Sequence, residues 1–125
     1  MCDARRVLVV EDQSDIRSLL ETVLGLEGYA VRVADHGQAA LAVARSFRPC
    51  LILLDLIMPV LDGPAFLRAY RRRGEPDARI LTMSASDEEA RRAAAVGVLG
   101  HVRKPFDLDE WQVQVERHVR AHRAV

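Results

Sequence analysis

The chain has 125 residues, half of them hydrophobic and 29% charged, with formal net charge zero. That is a single-core globular composition; it excludes two ordinary domains and long-range electrostatic steering toward nucleic acid. The N-terminus, MCDARR, lacks a leader's apolar stretch, no apolar run approaches the roughly 20 residues of a bilayer span, and two cysteines, Cys2 and Cys50, make no disulfide framework, so the expectation is a cytoplasmic protein in a reducing compartment.

In chain order, RVLVV (6–10) reads as a strand ending in Glu11-Asp12. Residues 14–27 follow with helical spacing, Ile16, Leu19, Leu20, Val23 and Leu26 forming one apolar face and Gly28 the stop. YAVRVA (29–34) is a second strand and the Ala-rich 37–46 a second helix. LILLD (51–55) is a buried strand that ends on a carboxylate, Asp55, and Met58-Pro59 and Asp62-Gly63 turn the chain soon afterwards. Residues 64–73 form a third helix with Pro64 in its first turn and a solvated Arg71-Arg72-Arg73 end. RILTMS (79–84) is the fourth strand. A fourth helix opens on a capping box, Ser86 to Glu89, with an Ala-rich, lightly packed inner face. HVR (101–103) is the fifth strand, followed by Lys104-Pro105. The last segment is mixed: Trp111, Val113 and Val115 alternate as in a strand, while the cap at Asp107 and the length favour a helix. Cys50 reads as a small core residue, Phe106 and Trp111 as packing residues, and His118 and His122 as helix-end cations without a third metal ligand.

Alternating β and α units imply a parallel sheet with right-handed crossovers and helices on both faces. The carboxyl ends of such strands share one edge, which is where ligands bind. Glu11, Asp12, Asp55, Ser84 and Lys104 all fall there. Crowded carboxylates repel unless a cation sits among them, and oxygen-only ligands of high charge suit Mg²⁺. Acids, metal, a hydroxyl and an ammonium describe a phosphoryl-transfer site with a carboxylate nucleophile. Of eighteen basic residues only position 104 is Lys, consistent with a need for a compact ammonium there.

On VVED, LLDLIMPVLDG, TMSAS and RKPF, together and in this order, the chain resembles a response-regulator receiver domain along essentially its whole length. The resemblance implies a three-layer, flavodoxin-like (βα)5 fold with a five-stranded parallel sheet in the order 2-1-3-4-5. It implies one receiver domain over 1–125 (core about 6–123) without an output domain. Asp55 matches the phosphoacceptor, and Glu11, Asp12, Asp55 and the Ile57 backbone carbonyl match the Mg²⁺ site, Glu11 acting through a metal-bound water. Ser84 matches the switch hydroxyl, Lys104 the phosphate-binding lysine, and Pro105 its cis-proline. The implied activity is a phosphorelay switch, not a separate enzyme. It would be loaded by a sensor histidine kinase or phosphotransfer protein and read by a downstream protein through the fourth helix, fifth strand and fifth helix. Arg91, Arg92, His101 and Arg103 would be exposed on that surface. Direct contact with nucleic acid or membrane is not expected, and homodimer formation is left open.

Two departures stand out. Glu replaces Asp at position 11, and His101 occupies the position of the rotating aromatic switch, from which we expect an output weakly dependent on pH between about 5 and 8. Ile57, apolar beside the acceptor, is expected to hinder water and lengthen the phosphorylated lifetime. Three rival functions each require something that this chain lacks. A Mg²⁺-dependent aspartyl-phosphate phosphatase wants an Asp at position 57. A flavin carrier wants a hydroxyl- and Gly-rich loop where EDQSD stands. A structural pseudo-receiver predicts loss of Asp55 or Lys104.

Overall fold

The computed structural model describes residues 5–56, 63–72, 78–95, 100–104 and 107–124, excluding the side chains of 64, 89, 93, 95 and 118–124. Strands and helices alternate: β1 (Arg6–Val10), α1 (Ser14–Leu26), β2 (Ala30–Ala34), α2 (Gly37–Phe47), β3 (Leu51–Asp55), α3 (Gly63–Arg72), β4 (Arg79–Ser84), α4 (Asp87–Ala95), β5 (Gly100–Arg103) and α5 (Leu108–Ala124). All strand pairs are parallel and the sheet order is β2-β1-β3-β4-β5. This is the expected three-layer α/β architecture.

The continuous aliphatic strands are explained by their two covered faces. Successive side chains point to opposite sides of a strand. Val7, Val9, Leu51, Leu53 and Leu81 therefore pack with Leu20 and Leu24 of α1 and Trp111 and Val115 of α5. Leu8, Val10, Ile52, Leu54 and Ile80 pack with Ala40 and Ala44 of α2 and Phe66, Leu67 and Tyr70 of α3. Every residue of β3 is buried, so this strand forms the axis of both cores. Burying each such side chain contributes about 1.5–3 kcal/mol.

The helix ends follow local chemistry. Gly28, at φ 91°, closes α1 with a paired motif in which its N–H donates to the Gly25 carbonyl and the Tyr29 N–H to that of Leu24. The side chain of His36 caps α2 by accepting from Ala39 N–H at 3.1 Å. The Asp107 carboxylate accepts from Asp109 and Glu110 N–H, starting α5. In α5 Trp111 and Val115 are buried while Val113 is 54% exposed, so the helical period decides the segment left mixed by the sequence.

One predicted face needs correction. Leu19 is 48% and Leu26 84% exposed, and the inward stripe of α1 is Leu20 and Leu24, flanked by Ile16 and Val23. The inward stripe of a helix lying on a sheet spans about 100°, and positions 19 and 26 both fall beyond one of its edges. Cys50 is buried, as expected of a core residue, but it is disulfide-bonded. The bond at Cys50 departs from the expectation that the cysteines form no disulfide framework.

Gly63 positions the site directly. A Cβ there would lie 2.6 Å from the Leu56 Cα and 3.1 Å from the Asp55 carbonyl oxygen. Only glycine lets the start of α3 approach the end of β3 this closely, and its N–H donates to the Leu56 carbonyl at 3.1 Å.

Candidate functional site

β1, β3, β4 and β5 end along one edge of the sheet. Val10 pairs with Leu54, Asp55 with Met83, and Ser84 with Arg103, so the residues that follow each strand are neighbours in space. Leu56 N–H continues the pairing to the Met83 carbonyl and Lys104 N–H to the Ser84 carbonyl, both at 3.0 Å.

Three carboxylates meet there. Glu11, Asp12 and Asp55 each offer an oxygen, and these oxygens lie within 4.8 Å of one another. Glu11 is fully buried and Asp55 is 4% exposed, whereas Asp12 faces solvent. Lys104 reaches in from the end of β5: its Nζ lies 2.7 Å from Glu11 Oε1 and 3.5 Å from Asp55 Oδ2. The other Glu11 oxygen accepts from Gln13 N–H at 3.3 Å. Glutamate at position 11 thus carries its carboxylate to the lysine, leaving Asp55 as the weaker partner.

Burial, followed by hydrogen bonding and repulsion from Glu11, pushes the Asp55 carboxyl up to about 8, and Lys104 only partly offsets this. At neutral pH the Asp55 carboxyl of the metal-free site therefore holds a proton. A hard divalent cation would replace that proton, and the donor set fits one: it is all oxygen, highly charged, and open to solvent on the Asp12 side.

Ser84 is buried and its Oγ accepts from Ser86 N–H at 2.9 Å, tying the end of β4 to the entry of α4. Ile57 and Pro105 lie outside the described residues, as does Phe106. Exposure of Arg91, Arg92 and Arg103 agrees with the expectation, and Arg103 pairs with Asp87 at 2.7 Å across β5 and α4.

His101 does not fit that expectation. It is half-buried, with Nδ1 2.7 Å from Oγ1 of the fully buried Thr82, its register partner on β4. The Thr82 hydroxyl also reaches the Gly100 carbonyl, to which it donates at 3.2 Å. Burial lowers the His101 pKa below 6.5, outweighing the Ser84 carbonyl and Asp87, which raise it. Its stabilising contribution is complete above pH 6.5 and is lost as pH falls through the lowered folded value. His101→Phe is expected to flatten the acid-side fall of the urea midpoint. An unchanged slope in that variant would remove His101 from the pH response.

Thr82 carries no warning in the sequence, because its hydroxyl looks like any strand Thr. Nor does the sequence single out Arg17, whose Nη1 donates to the carbonyls of Glu11 at 3.0 Å and Asp12 at 3.4 Å. The available signal was its position, a cation in the first turns of a helix whose positive dipole end disfavours it.

With this geometry established, the comparisons with known proteins agree. Residues 7–116 match the response regulator receiver domain family. The chain is 35% identical over 118 residues to the regulatory protein AtoC of Escherichia coli, covering 94% of this chain and 26% of that one. It is 35% identical over 116 residues to sporulation initiation phosphotransferase F of Bacillus subtilis, covering 91% and 93%. The structure of the chemotaxis protein CheY4 of Vibrio cholerae superposes with a TM-score of 0.83 at 33% identity, over 90% of this chain and 96% of that one. Several matched regulators are longer, and the chain spans 26% of AtoC, 47% of a probable transcriptional regulator of Pyropia yezoensis and 46% of response regulator MprA. The chain belongs to the response regulator receiver domain family of two-component signalling systems.

Proposed function

We propose that the chain is a phosphorylation-driven switch or relay in which Asp55 accepts a phosphoryl group from a phosphohistidine on a sensor histidine kinase or phosphotransfer protein. The observation that carries this reading is the meeting of three carboxylate oxygens within 4.8 Å, two of them on buried residues and both of those within reach of one ammonium. We assign Asp12, Asp55 and the Ile57 carbonyl as Mg²⁺ ligands and Glu11 as a holder of metal-bound water. When bound, Mg²⁺ supplies neutralising charge and a template for in-line approach.

The protein's own groups supply the rest. A carboxylate oxygen of Asp55 forms the new O–P bond as the N–P bond breaks, and the imidazole nitrogen keeps the electron pair. Lys104 moves from Glu11 to the transferred oxygens, the stronger anion. The Ser84 hydroxyl turns toward them and releases Ser86, shifting the entry of α4. The readout surface is then α4, β5 and α5, including the exposed Arg91, Arg92 and Arg103, and its occupant is a downstream protein. We treat the chain as one receiver domain with a core of about 6–123. Similarity to a protein named as a phosphotransferase supports the relay form of the reading.

Incubation with acetyl phosphate and Mg²⁺ should give a single phosphoryl adduct in the intact mass. The adduct should vanish with a chelator and in Asp55→Asn. No adduct in the wild type would sink the reading.

A further inference from the structure

Arg17 is the fourth residue of α1, at the end of its first turn, and its guanidinium bends back over the helix start. One nitrogen of its guanidinium donates to two consecutive carbonyls, those of Glu11 at 3.0 Å and Asp12 at 3.4 Å. These belong to the two residues whose carboxylates enter the acidic cluster. The local chain is held elsewhere too: Glu11 N–H donates to the Ala34 carbonyl at 3.0 Å, and Gln13 N–H to the Glu11 carboxylate. With Arg17 in place, the backbone of the acidic pair is fixed on both sides. A cation at the positive end of a helix is opposed by the helix dipole, so the two carbonyl bonds supply the compensation.

We propose that Arg17 is a positioning residue for the metal site: it fixes the backbone of Glu11 and Asp12 so that both carboxylates are aimed before the cation arrives. This rests on the Mg²⁺ reading above and extends it to a residue that touches neither metal nor phosphoryl group. The alternative is that Arg17 is only a nearby positive charge. The two accounts predict opposite signs. A bare charge repels Mg²⁺, so its removal should tighten binding. Loss of an outer positioning contact should weaken it, typically by 10–100-fold.

The test is calorimetric titration of the unphosphorylated protein with Mg²⁺, alongside phosphoryl uptake at varied Mg²⁺. Arg17→Met keeps the apolar stem and removes the donors, whereas Arg17→Lys restores a donor. The expected result is Mg²⁺ affinity about tenfold weaker in Arg17→Met, with partial recovery in Arg17→Lys. Half-saturating Mg²⁺ for uptake should rise by the same factor, and the maximal rate should move far less. If Arg17→Met binds Mg²⁺ as tightly as the wild type, or more tightly, the proposal is overturned. Where Arg17→Met fails to fold, Arg17→Ala takes its place, with weaker Mg²⁺ binding supporting the proposal and wild-type or tighter binding overturning it. Wild-type protein that binds no Mg²⁺ sinks the function reading itself, a result distinct from either.

Discussion

Metal-free protein should lose stability as pH rises toward about 8, and Asp55→Asn should abolish most of that loss. The Asp55 carboxyl is pushed from an ordinary 3.8 up to about 8, first by burial and then by Glu11. A folded state with the raised pKa holds a proton that the unfolded chain has released. The stabilising contribution is therefore complete below pH 3.8 and is lost as pH rises through about 8. His101 acts with the opposite sign and only below pH 6.5, so the interval from 6.5 to about 8 isolates the carboxyl. Over that interval the unfolding free energy should fall by about 1–2 kcal/mol. Mg²⁺ competes with the proton and binds only the folded chain. At a hundred times its dissociation constant it should add about 2.7 kcal/mol, with the larger gain at the higher pH. Urea midpoints at pH 6.5 and 8.5, with and without Mg²⁺, read both effects. A flat metal-free profile in the wild type would mean that the acids do not crowd one another in solution.

The second large effect concerns Lys104. Its ammonium is the partner of a fully buried Glu11 carboxylate at 2.7 Å, and its own side chain is only 18% exposed. Removing one member of such a pair strands the other charge away from water, which typically costs about 3–5 kcal/mol. Lys104→Met should therefore destabilise the metal-free protein by about 3 kcal/mol. Glu11→Gln should cost less, because Lys104 can fall back on Asp55, already 3.5 Å away. The double variant should be more stable than Lys104→Met alone, since it no longer buries an unpaired charge. Chemical denaturation of the four proteins measures this coupling. Additive losses would show that the two side chains act independently.

Much of this was legible beforehand because a parallel sheet converts sequence order into spatial order. LILLD reads as a strand buried on both faces, and the acid that ends it must then lie at the same edge as those after RVLVV. Periodicity was less informative for α1, where Leu19 and Leu26 look equivalent to Leu20 and Leu24 until the helix is laid on the sheet. Contacts that depend on pairing across the fold were not legible. Thr82 meets His101 only through the β4–β5 register, and Arg17 matters only once its guanidinium is seen to fold back onto the acidic loop. The need for glycine at position 63 likewise comes from the Leu56 Cα, which a Cβ there would meet at 2.6 Å, beyond the reach of any turn rule. The disulfide at Cys50 has no signal in the number of cysteines.

The central claim is that carboxylates distant in sequence form one acceptor site, with residue 55 as the nucleophile. Its most direct test is the chemical identity of the phosphoryl adduct, read by treating the phosphorylated protein with hydroxylamine and mapping its peptides. An acyl phosphate is cleaved by hydroxylamine and leaves a hydroxamate, which should be found at Asp55 alone and only after loading with Mg²⁺. A hydroxylamine-resistant adduct on Ser84, or a hydroxamate at another acid, would contradict the account.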